Sequence, residues 1–249
     1  MSGHSKWNNI KRRKEKTDAQ KAKIFTKIGR EIAVCVRESG GDPSVNGKLR
    51  DLIAKAKSNN VPNDNIDRII KKAMGGDDKN QYETIFYEGY GPSGVAVIVE
   101  TLTENRNRTA GDLRHYFDKY GGNLGTTGCV SFMFTQKGVI IIESEALNED
   151  KMMEDAMDSG AADLSFEADV VEIYTDPNDL RAVREALEAK GYSFLSSEVE
   201  YLPQTGARID DPDVAVKMNR MLEMMNDNDD VQNVWHNWEN EDDYSEDED

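Results

Sequence analysis

Apolar positions recur with a helical period through the first third of the chain. Between about Thr17 and Glu38, at about 100° per residue, Ala22, Phe25, Ile28, Ile32 and Val36 share one stripe. Lys16, Lys23, Lys27, Arg30 and Arg37 gather on the opposite side, with Val34 as the single apolar intruder. Gly40-Gly41-Asp42 is a natural stop. Two shorter helices follow. Lys48–Ser58 buries Leu49, Leu52, Ile53 and Ala56, and Asp64–Met74 buries Ile66, Ile69, Ile70 and Met74, with Pro62 at an acceptable first-turn position.

From Tyr82 the pattern becomes strand-like. Strands are predicted over Tyr82–Tyr90, Val95–Leu102 and Cys129–Thr135. Between the last two lies a helix opened by Asn105-Arg106-Asn107-Arg108-Thr109, with Ala110, Leu113, Phe117 and Tyr120 buried. Residues 138–202 then alternate compactly: strand Gly138–Glu143, helix Glu149–Ser159, strands Leu164–Glu167 and Val170–Thr175, helix Pro177–Lys190, strand Tyr192–Leu202. That order, β-α-β-β-α-β, is a ferredoxin-like unit. Being complete in itself, it reads as an insertion. A helix over Asp211–Met225, whose Val214, Met218, Met221, Leu222 and Met225 form a core stripe, and a strand near Val231–Trp238 follow it. The prediction is an α+β protein of three domains. They are a basic arm with three helices (1–80), a discontinuous middle domain (81–137 and 203–240) and the insertion (138–202). Glu239–Asp249 holds eight acids in eleven residues and no base, and 241–249 is expected to be a disordered acidic tail.

Charge sharpens this picture. The 249 residues carry a formal net charge of −17. Residues 1–80, however, hold 19 Lys and Arg against 10 Asp and Glu, a net +9, and the remainder holds 12 against 38, a net −26. Residues 1–30 alone are +8. A basic end on an acidic body points to nucleic acid or another anionic surface. The arm, with Lys6, Trp7, Lys11, Arg12, Arg13, Lys14 and Lys16, has no apolar periodicity. Its charges can neutralise phosphates while Trp7 stacks on a base. The plainer alternative is a solvated tail whose Trp7 packs on its own domain. The following helix favours the first reading, since Lys23, Lys27 and Arg30 stand on a ridge with almost no acid, roughly 30 Å long. Arg106 and Arg108, beside the free N–H groups of a helix start, form a candidate phosphate seat. Residues two apart face different ways, so one of them can instead pair with Glu104 or Asp112.

Other chemistry is excluded or weak. No apolar run approaches a membrane span, and no apolar stretch follows the basic start as in a secretory signal. A mitochondrial presequence is disfavoured because the arm runs straight into a helix of the fold. Two cysteines, Cys35 and Cys129, give no disulfide framework and fit a reducing cytoplasm. His4, His115 and His236 lie far apart, and no His/Cys pair has metal-ligand spacing. The acidic run from Asp227 lacks the Gly and Glu of a calcium loop. Gly89-Tyr90-Gly91-Pro92-Ser93-Gly94 spells G-x-G-x-x-G, but a strand follows where a helix is required, so it is a hairpin loop. No catalytic residue, cofactor, metal, membrane or small-molecule substrate is expected.

Read together, several segments resemble the YebC family over nearly the whole chain. They are Met1-Ser2-Gly3-His4-Ser5-Lys6-Trp7 with Ile10-Lys11, Ala22-Lys23-Ile24-Phe25-Thr26-Lys27, Tyr87-Glu88-Gly89-Tyr90-Gly91-Pro92, Asn105-Arg106-Asn107-Arg108-Thr109 and Gly121-Gly122-Asn123-Leu124-Gly125. The resemblance implies the same three-domain fold and a cytoplasmic, non-enzymatic regulator of gene expression. Family members are labelled DNA-binding transcriptional regulators. Mitochondrial relatives are translational activators of cytochrome c oxidase, and members are linked to the ribosome and to elongation through proline-rich stretches. A body at −26 would be repelled by duplex DNA. RNA or ribosome binding is therefore the leading expectation, with ribosomal proteins as further partners. DNA binding is second, and a protein-interaction adaptor using the acidic body third.

Overall fold

The computed structural model describes residues 18–75, 81–145, 147–167 and 169–244. Three helices open it: α1 (Asp18–Ser39), α2 (Gly47–Ser58) and α3 (Asn63–Met74). Their apolar stripes meet in one core of Ile28, Ile32, Cys35, Val36, Leu49, Leu52, Ala56, Val61, Ile66 and Ala73. α1 passes close to α3 at Gly29, where a Cβ would lie 3.0 Å from Ile69 Cδ1. Asn46 ties the α1–α2 turn: its Oδ1 accepts from Leu49 N at 3.1 Å, and its Nδ2 donates to Gly40 O at 2.8 Å. Two stripe residues fall outside this core. Ala22 is exposed, and Met74, at the end of α3, is 65% exposed.

The next elements are β1 (Glu83–Tyr90), β2 (Ala96–Thr103), α4 (Arg106–Tyr120) and the two-residue β3 (Asn123–Leu124). After the insertion come α7 (Pro212–Asp227) and β8 (Val231–His236). One antiparallel sheet, ordered β3-β1-β2-β8, joins them. α4 and α7 cover one face, burying Leu113, Phe117, Met218, Met221 and Met225 against Val95, Val97 and Val99. The methionine stripe is therefore core, and Gly89–Gly94 lies in a hairpin, both as the pattern predicts.

The insertion contains β4 (Phe134–Glu143), α5 (Glu149–Asp158), β5 (Asp163–Phe166), β6 (Val170–Thr175), α6 (Leu180–Ala189) and β7 (Ser196–Pro203). Its sheet runs β5-β6-β4-β7, the ferredoxin-like order, with α5 and α6 packed on Ile140, Ile142, Val171 and Ile173. The described residues form two compact units. One takes in the three helices and Gln136–Tyr201, and the other runs from β1 to Thr135 and resumes at Leu202. Within the first, the helical core and the insertion core stay separate. Ion pairs link them: Asp51 holds Arg181 at 2.7 Å and Arg184 at 2.8 Å, and Arg50 meets Glu185 at 3.2 Å.

Two expectations are corrected. No separate strand spans Cys129–Thr135. A 3-10 turn occupies Ser131–Met133, and one ten-residue strand begins at Phe134 and runs through Gly138. The Glu88 carboxylate takes the N–H groups of Gly128, Val130 and Ser131, which are thereby lost to any ladder. The start of the acidic tail is also ordered. Glu241–Tyr244 forms a 3-10 turn, Glu241 is buried, and Tyr244 stacks on Trp238 with ring centroids 6.2 Å apart. Asn240 fastens it, accepting from Ile209 N at 3.0 Å and Trp238 Nε1 at 3.1 Å.

Candidate nucleic-acid interface

The candidate contact residues fall into three groups. Lys6, Trp7, Lys11, Arg12, Arg13, Lys14 and Lys16 lie outside the described residues. Lys23, Lys27 and Arg30 stand on α1, half-buried and engaged in contacts of their own. The α1–α2 side also carries neutralised charge, because Lys55 reaches Glu31 at 3.2 Å and Glu198 at 3.8 Å.

Arg106 and Arg108 form the third group, at the start of α4. Asn105 caps this helix, its Oδ1 accepting from Arg108 N at 3.1 Å. The two arginines part company there. Arg106 is exposed, and its carbonyl accepts from the Tyr87 hydroxyl at 3.4 Å. Arg108 donates to Asp230 at 2.7 Å and lies 3.9 Å from Glu104. Asp230 is buried, and the hydroxyls of Thr103 and Thr109 also reach it, at 3.1 and 2.8 Å. Burial works against its charge, but the Arg108 and threonine hydrogen bonds outweigh it and hold the carboxyl below its ordinary range. Pairing with Glu104 was foreseeable at four residues' separation. Asp230 was not, since it lies 122 residues from Arg108.

Sequence reasoning also missed Glu88. This buried carboxylate on β1 accepts from Gly128 N, Val130 N and Ser131 N at 2.8, 2.9 and 2.8 Å. Burial again opposes its charge, and the three backbone donors again prevail, so the group titrates low. Three donors satisfy it structurally, and the sequence shows it only as one of two acids, with Glu83, in β1. Cys35 and Cys129 are free thiols, both pushed up by burial, and Cys35 donates to Asn46 Oδ1 at 3.6 Å. Among the described residues no group of three or more His, Cys, Asp or Glu could hold a metal ion, and no helix is long and apolar enough to cross a membrane.

A helical amino-terminal part, an antiparallel α+β domain and a ferredoxin-like insertion, with carboxylates spent on structure, define a multidomain α+β class. The particular family follows from comparison with known proteins. Residues 5–76 match the TACO1/YebC protein N-terminal domain, and residues 82–238 match the TACO1/YebC second and third domain. This chain belongs to the TACO1/YebC family. A "Probable transcriptional regulatory protein" of Acetivibrio thermocellus is 60% identical over 239 residues, covering 96% of this chain and 99% of its own. One of the same name from Caldicellulosiruptor saccharolyticus is 58% identical over 242 residues, covering 97% and 100%. The crystal structure of the conserved hypothetical protein Aq1575 from Aquifex aeolicus is similar with a TM-score of 0.81 at 42% identity, covering 90% of this chain and 92% of that one.

Proposed function

We propose that this chain is a non-enzymatic regulator of gene expression that binds RNA at the ribosome, in the cytoplasm, through its basic amino-terminal arm and α1. One observation carries the reading: the first 80 residues are +9 and all that follows is −26. Cation density of this kind releases counterions from a phosphate backbone wherever it is inserted. A factor engaging structured RNA by one end leaves its acidic remainder in solvent or against basic ribosomal proteins. The names of the relatives support a regulator rather than an enzyme, and they favour DNA as the second reading. Duplex DNA would have to be read by a dimer or a groove-entering helix, with the acidic body held away. Co-sedimentation with ribosomes at moderate salt tests the proposal. The full chain should pellet with them, and a chain lacking residues 1–16 should not. Tight retention of promoter DNA by a protein that ignores ribosomes would overturn it.

A further inference from the structure

The exposed face of α4 holds a glycine for which the fold has no use. Gly111 lies inside a 15-residue helix, where glycine is the least favourable residue after proline, yet a Cβ there would meet nothing within 4 Å. Gly29, by contrast, makes room for Ile69, and Gly121 ends α4 with a left-handed φ of 87°. What rings the gap at Gly111 is chemically uniform. Residues three and four away are surface neighbours on a helix, with Cβ atoms about 5–6 Å apart. Here they are Asn107, Arg108, Arg114 and His115, all exposed and all able to donate hydrogen bonds. None of these four is itself a carboxylate. Asp112 is half-buried and faces Asn228 at 3.4 Å, and Asp118 lies two turns from Gly111. Arg108 gives one guanidinium nitrogen to Asp230 at 2.7 Å, and another lies 3.9 Å from Glu104. The helix carries four Arg and Lys against two Asp, whereas α5 has one against five, α6 two against two and α7 two against three.

We propose that this notch seats a phosphate of an RNA backbone. Gly111 lets the strand approach the helix, and Asn107, Arg108, Arg114 and His115 donate to the phosphate oxygens. A small cationic notch in an acidic domain suits a bendable single strand, since a rigid duplex would carry its flanking phosphates over acidic neighbours. The proposal rests on the nucleic-acid reading above and adds a phosphate site that neither the arm nor α1 supplies.

The test uses the full chain and a fluorescein-labelled single-stranded RNA of mixed sequence. Gly111→Leu fills the notch with a better helix former, so thermal stability should hold or rise while RNA affinity falls roughly tenfold. Arg114→Ala should lower the salt slope of binding by about 0.7. A folded Gly111→Leu protein with undiminished RNA affinity overturns the proposal. Replacing Lys11, Arg12, Arg13 and Lys14 with Ala, in parallel, separates the two readings. Loss of binding there, with none in the α4 variants, removes the notch and leaves the arm reading standing. Loss in the α4 variants alone supports the notch and removes the arm. A single-stranded RNA that the unmodified chain does not bind overturns the notch, while pelleting with ribosomes decides the arm reading. Loss of duplex DNA binding in Gly111→Leu equal to the loss of RNA binding overturns the assignment to RNA.

Discussion

Asp230 fixes where α4 begins. It is buried, it receives Arg108, Thr103 and Thr109, and its carbonyl accepts from Leu102 N at 2.7 Å. Asp230→Ala should cost about 2–3 kcal/mol in urea unfolding, because a charged acceptor is removed from Arg108 and from the buried Thr103 hydroxyl, while Thr109 can still donate to Thr103 or Asn105 O. Arg108→Ala should cost about 1–3 kcal/mol, since Arg108 is 46% exposed but the Asp230 carboxylate it leaves behind is only 6% exposed. The carboxyls of Asp230 and Glu88 both sit below their ordinary ranges in the fold. A carboxyl lowered by folding stabilises above its unfolded value, near 4, and that contribution is lost as pH falls through the folded value. Stability should therefore decline on acidification below about pH 4, and Asp230→Asn should flatten that decline. An equally steep decline in Asp230→Asn would assign the acid sensitivity to other groups.

Among the elements, two glycines show opposite uses of the residue. Gly89 lies in β1, paired with Val97 of β2 and Leu124 of β3, where a Cβ would sit 2.6 Å from Asn123 O and 2.9 Å from the Phe117 ring. The first of these neighbours is backbone and cannot give way. Gly89→Ala should destabilise by about 1–3 kcal/mol, whereas Gly111→Ala should stabilise by about 1 kcal/mol, both read from thermal or urea midpoints. Most elements were legible because burial repeats at their own period, as along Ile28, Ile32, Val36 and along Met218, Met221, Met225. The segment before β4 has apolar residues that suit a strand, but its N–H groups are claimed by Glu88, 40 to 43 residues earlier. The first residues of the tail, Glu241–Tyr244, are ordered for a related reason, and 245–249 lie outside the described residues. Composition marks Glu239–Asp249 as unable to fold alone, but Asn240 and Tyr244 find Ile209 and Trp238.

At the scale of the whole molecule the governing property is the split of charge. Replacing Lys11, Arg12, Arg13 and Lys14 with Ala should lower the slope of log affinity for RNA against log salt by about 0.7 for each phosphate no longer neutralised. An unchanged slope would mean that those four charges do not touch the backbone. The first unit also depends on charge within the fold, through Asp51 with Arg181 and Arg184 and Arg50 with Glu185, between two apolar cores that do not merge.

The order of letters alone determined the periodicities, the ferredoxin-like alternation and the opposition of a cationic start to an anionic remainder. Each of these depends on residues close together in the chain or on simple counting. Folding decided which charges find partners within the protein itself. Arg108 looked no different from Arg106 until a carboxylate 122 residues away came within 2.7 Å of it. Such partnerships depend on distances through space, and the linear pattern carries no record of them until apolar burial has brought the elements together.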